Sequence, residues 1–536
     1  MRLAALPLVA TLFAIPAHAR PPRLAVVVAV DSMGSDVFQR MLPRFRGGFR
    51  TLAEQGAYFP DARYEHAETV TSAGHATLST GTSPWRHGIT SNKLYDRASG
   101  KRVTVMWDPA VPLLDAPAGK DDTTPARIEA ETLADRLVTA TQGRGKAVAV
   151  SGKSRAALAL AGRLGEAWWF HEGTGRFVTS AWYRKETPAW VQAFNDAAPA
   201  DRGLGKPWTL SAPPAEYAGL DDRPYESDGW GLGRTFPHPV SRLAEGNAYT
   251  ALACTPASSE LVTDFAVRAL SEAKLGKDDV PDLLLVSYSG VDRAYHLYGP
   301  YSWEMQDHLL RLDALLAGLF AAAEKAAGKG NVVVALTADH GGAAIPEEWA
   351  EAGLPGVRVS PATYERGLSQ ALEATFGAPG LVLGLEELDL FLDRRVISAR
   401  GLDAVAVRRA AAAWLNAQPD VQLAVAEDDL PTAPDTQGLF PALRKTHFPG
   451  RSGDVLVVLK PWRVLDDQAS GASHGSPWLY DAQVPLLLWG PGITPGIHPE
   501  TVHPTDVAPT LSTLLEVGAP ASAEGHPLSQ ALRLRR

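Results

Sequence analysis

Residues 332–342 read Val-Val-Val-Ala-Leu-Thr-Ala-Asp-His-Gly-Gly, a short apolar run that ends in an adjacent aspartate and histidine, Asp339 and His340. The run from Val332 to Leu336 has the length and β-branched content of a strand buried on both faces. An Asp-His pair has little structural use at a strand end, so the stretch predicts a strand that delivers chemistry. The same pattern recurs outward in both directions. Leu24 to Val30 precedes Asp31, Ala147 to Val150 precedes Ser151 to Arg155, and Leu283 to Val286 precedes Asp292. Val484 to Leu488 is a further run, in which Pro485 suggests an edge strand or a strand start. Helical patterns lie between several of these runs, including Glu260 to Ala273 and His308 to Ala327. Strands alternating with helices predict an α/β fold with a doubly wound, mostly parallel sheet. In such sheets ligands bind beyond the carboxyl ends of the strands, so Asp31, Ser151 to Arg155, Asp292 and Asp339 should meet on one rim.

Composition narrows the function classes. The chain has 536 residues and a formal net charge of −9, with no block of Lys and Arg, which argues against a nucleic-acid backbone as main partner. Cys254 is the single cysteine, so no internal disulfide can form, and its simplest role is a small apolar side chain in the interior. Residues 1–19 carry Arg2, an apolar run from Leu3 to Pro16 and the ending Ala17-His18-Ala19, the pattern of a cleaved signal peptide. That predicts an exported protein, periplasmic or secreted, and no later segment is apolar for long enough to span a membrane. The expected organisation is an α/β core over residues 20–343 and 463–536, with an irregular Pro-, Gly-, Trp- and Tyr-rich insertion at about 177–240. Residues 344–462 form an inserted α+β cap region with strand-like and helical pieces such as Asp454 to Lys460 and Val405 to Ala417. There are no internal repeats.

Carboxylates, imidazoles and one hydroxyl make up the chemical set: Asp31, Asp292, His296, Asp339, His340, His474 and Thr71. Carboxylates and imidazoles converging at strand ends are what a pair of divalent metals needs, and a threonine among them suggests a nucleophile. Thr71 stands in Thr69-Val70-Thr71-Ser72-Ala73-Gly74-His75, a small-residue turn into a helix. In isolation such a threonine reads as a helix cap; beside these ligands a helix N-terminus can instead hold an oxyanion. Asp292 and His296 are spaced i, i+4, one helical turn apart. On its own His474, in Ser473-His474-Gly475-Ser476-Pro477, would be a solvated loop histidine.

Taken together with His87 to Asn92, the trailing Gly299-Pro300 and Thr505 to Thr510, these motifs resemble the alkaline phosphatase superfamily. Within it they are most similar to the phosphodiesterase/nucleotide pyrophosphatase-like branch that includes secreted, phosphate-irrepressible bacterial alkaline phosphatases. Ala73 departs from the pattern, since relatives often have Pro there. The resemblance implies two Zn2+ per chain, one held by Asp292, His296 and His474, the other by Asp31, Asp339 and His340 and also bound by Thr71. His75 and His87 match positions that are not ligands. Asn92, Lys153 and Arg155 match residues that stabilise the non-bridging oxygens of a phosphoryl group, and the Lys-x-Arg pair favours monoesters, whose dianion gains more from two cations than a diester's monoanion. The implied function is an exported two-zinc alkaline phosphatase acting on small phosphate esters through a phosphothreonine at Thr71. The rivals are a phosphodiesterase or nucleotide pyrophosphatase with the same metals and nucleophile, a periplasmic phosphate- or zinc-binding protein without turnover, and a sulfatase, against which Thr71 speaks.

Overall fold

The computed structural model describes residues 21–117, 119, 121–240, 248–435 and 438–533. The segment read as a signal peptide therefore lies outside the described residues. The core is a ten-stranded sheet. Its centre is five parallel strands in the order Val332–Thr337, Leu24–Ala29, Asp282–Ser287, Ala147–Ser151 and Glu166–His171. Arg176–Ser180 and then Leu113–Leu114 extend it antiparallel on one side. On the other side lie Gln483–Trp489, antiparallel to its neighbours, then Ala57–Arg63 and the two-residue Gly496–Ile497. Every residue of the Leu24, Asp282 and Val332 strands is buried, which is why they read as continuous apolar runs.

Pro485 is the third residue of an internal strand, flanked on both sides, and the sheet absorbs it with a bulge. The ladder passes from Leu486 opposite Phe59 to Val484 opposite Ala62, so Pro60 and Asp61 face Pro485 where the register shifts. Neither proline is then asked to donate a ladder hydrogen bond. Two long helices, Pro256–Glu272 and Trp303–Ala327, bury apolar faces against the core. The Phe177 to Val240 stretch contributes a strand end, the helix Ala189–Asp196 and then short 3-10 turns. Residues between 357 and 465 carry hydrophobic clusters of their own around a four-stranded sheet, ordered Val382–Glu386, Asp389–Leu392, Val455–Leu459 and Val421–Ala426. Among the described residues no helix is long and apolar enough to cross a membrane.

Candidate functional site

The carboxyl ends of the central strands deliver the predicted residues to one rim. Asp31 follows the Leu24 strand and Asp339 and His340 follow the Val332 strand, and all three are wholly buried. Asp292 and His296 project from the helix Ser289–Tyr298 that follows the Asp282 strand. One turn of helix brings them together, with His296 Nε2 3.4 Å from Asp292 Oδ2, and His474 reaches in from the loop before Gln483–Trp489, its Nε2 3.6 Å from Asp292 Oδ1. A second group joins Asp31 and Asp339, with His340 Nε2 3.3 Å from Asp339 Oδ2. The rings of His340 and His474 stack with centroids 3.7 Å apart, so the two groups share a wall.

Two residues that sequence reasoning did not single out as ligands or bridges also lie here. His75, set aside there, sits between the carboxylates of the second group, Nε2 3.5 Å from Asp31 Oδ1 and Nδ1 3.4 Å from Asp339 Oδ2. Donor atoms of Asp31, His75 and Asp339 lie within 4.8 Å of one another, as do those of Asp292, His296 and His474. The sequence signal for His75 was its i+4 spacing from Thr71 on one helix face. Ser32 takes a left-handed backbone, φ 62°, donates its amide to Asp339 Oδ1 at 3.2 Å and its hydroxyl to Asp292, and so ties the groups together. Nothing in the sequence marks that role.

The donor set fits divalent metal ions. His296, His340 and His474 each hold Nδ1 against a backbone carbonyl, of Ala472, Gly341 and Thr69, at 2.9, 2.8 and 3.0 Å. The proton therefore belongs on Nδ1, leaving the Nε2 lone pair to face the carboxylates, the tautomer a metal requires. Asp31 Oδ2, Asp339 Oδ2, His75 Nε2 and His340 Nε2 are buried without a hydrogen-bond partner. Burial lowers His340 to about 4 and pushes His474 well below the usual imidazole range, so both rings stay neutral. Burial also raises Asp31, with the Asp339 charge adding to it. At Asp292 burial is outweighed by Lys153, His296 and His474, which hold its carboxyl well below the usual range.

Thr71 is the first residue of the helix Thr71–Thr80, whose N-cap position is Val70, a residue with no side-chain cap. The hydroxyl is thus not consumed as a cap. Asn92 Oδ1 accepts from Ser72 N and Ser72 Oγ, both at 3.0 Å, which turns its Nδ2 away as a free donor. Lys153 contacts Asp292 and lies 3.7 Å from Asp31 Oδ2, so its ammonium sits within the carboxylate groups. Arg155 stands farther out, with Nε 3.8 Å from buried Asp122. A polar cavity of about 370 Å³ opens beside Lys153 and Arg155, lined also by His171, Glu172 and Arg293. His87 is a structural residue: Nε2 meets Thr77 Oγ1 at 3.1 Å and Nδ1 accepts from Ile89 N at 3.1 Å.

The chain matches the family described as type I phosphodiesterase / nucleotide pyrophosphatase over residues 25–461. It is 30% identical over 519 residues to the alkaline phosphatase PafA of Elizabethkingia meningoseptica, covering 95% of this chain and 94% of that one. A Myroides odoratus protein named calcium-transporting ATPase is 30% identical over 519 residues, 95% of each chain. The crystal structure of PafA matches with a TM-score of 0.91 at 30% identity, covering 96% of this chain and all of that one. A PafA variant altered at a threonine, an asparagine, a lysine and an arginine matches with a TM-score of 0.90 at 29% identity, with the same coverage of both chains.

Proposed function

Because the chain belongs to the type I phosphodiesterase / nucleotide pyrophosphatase family of the alkaline phosphatase superfamily, we propose that it is an exported two-zinc alkaline phosphatase that hydrolyses small phosphate monoesters through a phosphothreonine at Thr71. The observation that carries this reading is Thr71 at an uncapped helix start, one turn before His75, which lies between Asp31 and Asp339 in one of two carboxylate–imidazole groups. Zinc bound at these groups would act as a Lewis acid that lowers the pKa of a hydroxyl and takes up charge on a leaving oxygen. Asp292, His296 and His474 would hold one ion and Asp31, Asp339 and His340 the other, which would also take Thr71 as a ligand; His75 packs between the carboxylates of that second group. Thr71 Oγ attacks phosphorus as the bond to the ester oxygen breaks, and water then hydrolyses the phosphothreonine, returning the threonine and releasing phosphate. Asn92 Nδ2, Lys153 and Arg155 hold the non-bridging oxygens, the electrostatic contribution on which phosphoryl transfer chiefly depends.

The four residue types altered in the PafA variant are those at Thr71, Asn92, Lys153 and Arg155 here, which supports the same roles. Ion transport in the Myroides relative's name is not carried over; what its name shares with PafA is hydrolysis of a phosphoric ester or anhydride. A diesterase remains the second reading, favoured by the Lys153 ammonium being engaged with Asp292. Both are decided on zinc-loaded protein by comparing kcat/KM for a nitrophenyl monoester, its matched diester and the sulfate ester, and by acid-quenching labelled monoester for peptide mapping. Monoester preference with the label on Thr71, lost in Thr71→Ala, is expected. A preference for the diester, or a label on another residue, overturns the proposal. Export is tested separately by the N-terminus of protein recovered outside the cytoplasm, expected at Arg20.

A further inference from the structure

The proposed chemistry draws on the carboxyl ends of four of the five parallel strands and leaves that of the fifth without a role. Glu166–His171 lies beside Ala147–Ser151, the strand that leads to Lys153 and Arg155, so His171 and Glu172 emerge on the same rim one strand farther out. Both line the cavity of about 370 Å³ that Lys153 and Arg155 also line. Arg293, a further lining residue, follows Asp292 on the helix Ser289–Tyr298 and forms an ion pair with Glu172. That pair ties the fifth strand end to the helix of Asp292 and His296, and Lys153 contacts Asp292 as well, so the cavity abuts one of the two ligand groups.

Asp121 completes the polar wall. It stands 3.7 Å from His171 Nε2, too far for a direct hydrogen bond, which leaves both groups able to meet a ligand. The turn after the strand fixes the imidazole: His171 Nδ1 lies 3.0 Å from Thr174 Oγ1, and a Cβ on Gly173 would come to 2.7 Å from His171 Cε1, so glycine there leaves room for the ring.

With Lys153 and Arg155 committed to the transferred phosphoryl group, two complementary pairs remain in the cavity, Glu172 with Arg293 and Asp121 with His171. A carboxylate and a guanidinium in one ion pair keep lone pairs and N–H groups to spare. A second anionic group would face two carboxylates, and an ammonium would face Arg293 beside Lys153 and Arg155. An apolar group would strip water from charged side chains and return no hydrogen bonds. An uncharged alcohol with several hydroxyls meets all of these demands, since a hydroxyl donates to a carboxylate and accepts from a guanidinium at once.

We propose that this cavity is the leaving-group subsite and that Glu172, Arg293, Asp121 and His171 select phosphate monoesters of neutral, hydroxyl-rich alcohols such as sugars. Such selection rests on the phosphomonoesterase reading, and the test tells the failure of one from that of the other.

Zinc-loaded, full-length protein is given glucose 6-phosphate and cyclohexylmethyl phosphate, primary alkyl esters of similar size of which only the first carries hydroxyls. kcat/KM is expected to be about ten- to a hundredfold higher for the sugar ester, the range of one hydrogen bond to a charged group. Glu172→Gln, which keeps the side-chain shape, and Asp121→Asn, at a partly exposed position, should each lower that ratio severalfold with zinc content full. Turnover of both esters at equal kcat/KM overturns the subsite and leaves the phosphomonoesterase reading intact. A preference that both folded variants retain unchanged also overturns the assignment. Turnover of neither ester by protein that cleaves a nitrophenyl diester sinks the phosphomonoesterase reading and the subsite with it. Should Glu172→Gln fail to fold, Asp121→Asn decides alone under the same criterion.

Discussion

At the residue scale, what a histidine does at this rim is decided by the nitrogen that does not face the carboxylates. Three backbone carbonyls fix the Nδ1 protons of His296, His340 and His474, so reactivity is set by main-chain positions invisible in the sequence. The acidic residues that meet at the rim were legible because each comes soon after an apolar run, as Asp31 and Asp339 do. Ser32 was not, since its bridging depends on a left-handed backbone at a serine. Lys153 and Arg155 carry the sharpest consequence of the proposed function. If both cations hold a dianionic phosphoryl group, Lys153→Ala and Arg155→Ala should each cost monoester turnover about 1.5–3 kcal/mol, the range for hydrogen bonds to charged groups. Diester turnover should fall much less. The ratio of the two activities, measured in protein with full zinc content, is the check, and equal losses on both substrates would return the chain to the diesterase reading.

At the element scale, the helix Thr71–Thr80 holds the proposed nucleophile against the strand end that carries Asp339. The approach is so close that a Cβ on Gly74 would lie 2.0 Å from the Asp339 carbonyl oxygen. Gly74→Ala must therefore push helix and strand end apart, and an overpacked contact of this kind costs about 1–3 kcal/mol. A lowered melting temperature and reduced zinc retention after dialysis are expected together; loss of neither would show that the helix can shift without disturbing the ligands. The buried parallel strands and the long helices were readable from periodicity, because burial on both faces or on one stripe writes itself into composition. Ala57–Arg63 went unmarked because Pro60 and Asp61 interrupt its apolar run, and the bulge opposite Pro485 lets such residues sit inside a sheet. Glu166–His171 escaped because an aromatic-rich run bounded by charged residues lacks the β-branched signature of its neighbours.

For the molecule as a whole, the proposed ligands span Asp31 to His474, so metal loading should report on the integrity of the entire core. Exhaustive chelation is expected to abolish turnover and lower the melting temperature together, since carboxylates such as Asp31 then lose the partner that offsets their burial. Full turnover in protein shown by elemental analysis to be metal-free would contradict this. A second expectation concerns pH. Burial lifts Glu226 from 4.5 to about 9, with Glu304 adding to the shift, so the folded state holds its proton where the unfolded chain has released it. Stability contributed below the ordinary value is lost as pH rises towards about 9, and Glu226→Gln should remove that loss. The melting temperature of the variant should gain on wild type steadily across that window; a constant difference would refute the assignment. The α/β class of the core could be foreseen from alternating runs. The order of its strands could not, because pairing between distant segments leaves no local mark. That order governs how the chain is put together in time. Ala57–Arg63 is made early, yet its sheet neighbours are Gln483–Trp489 and Gly496–Ile497, which are made only after most of the chain. Throughout synthesis the Val332 strand keeps a bare edge and the threonine helix has no His474 loop to close over it, so a growing chain is both adhesive and incapable of premature chemistry. Completion of the sheet thereby waits until that late stretch of the chain has been made.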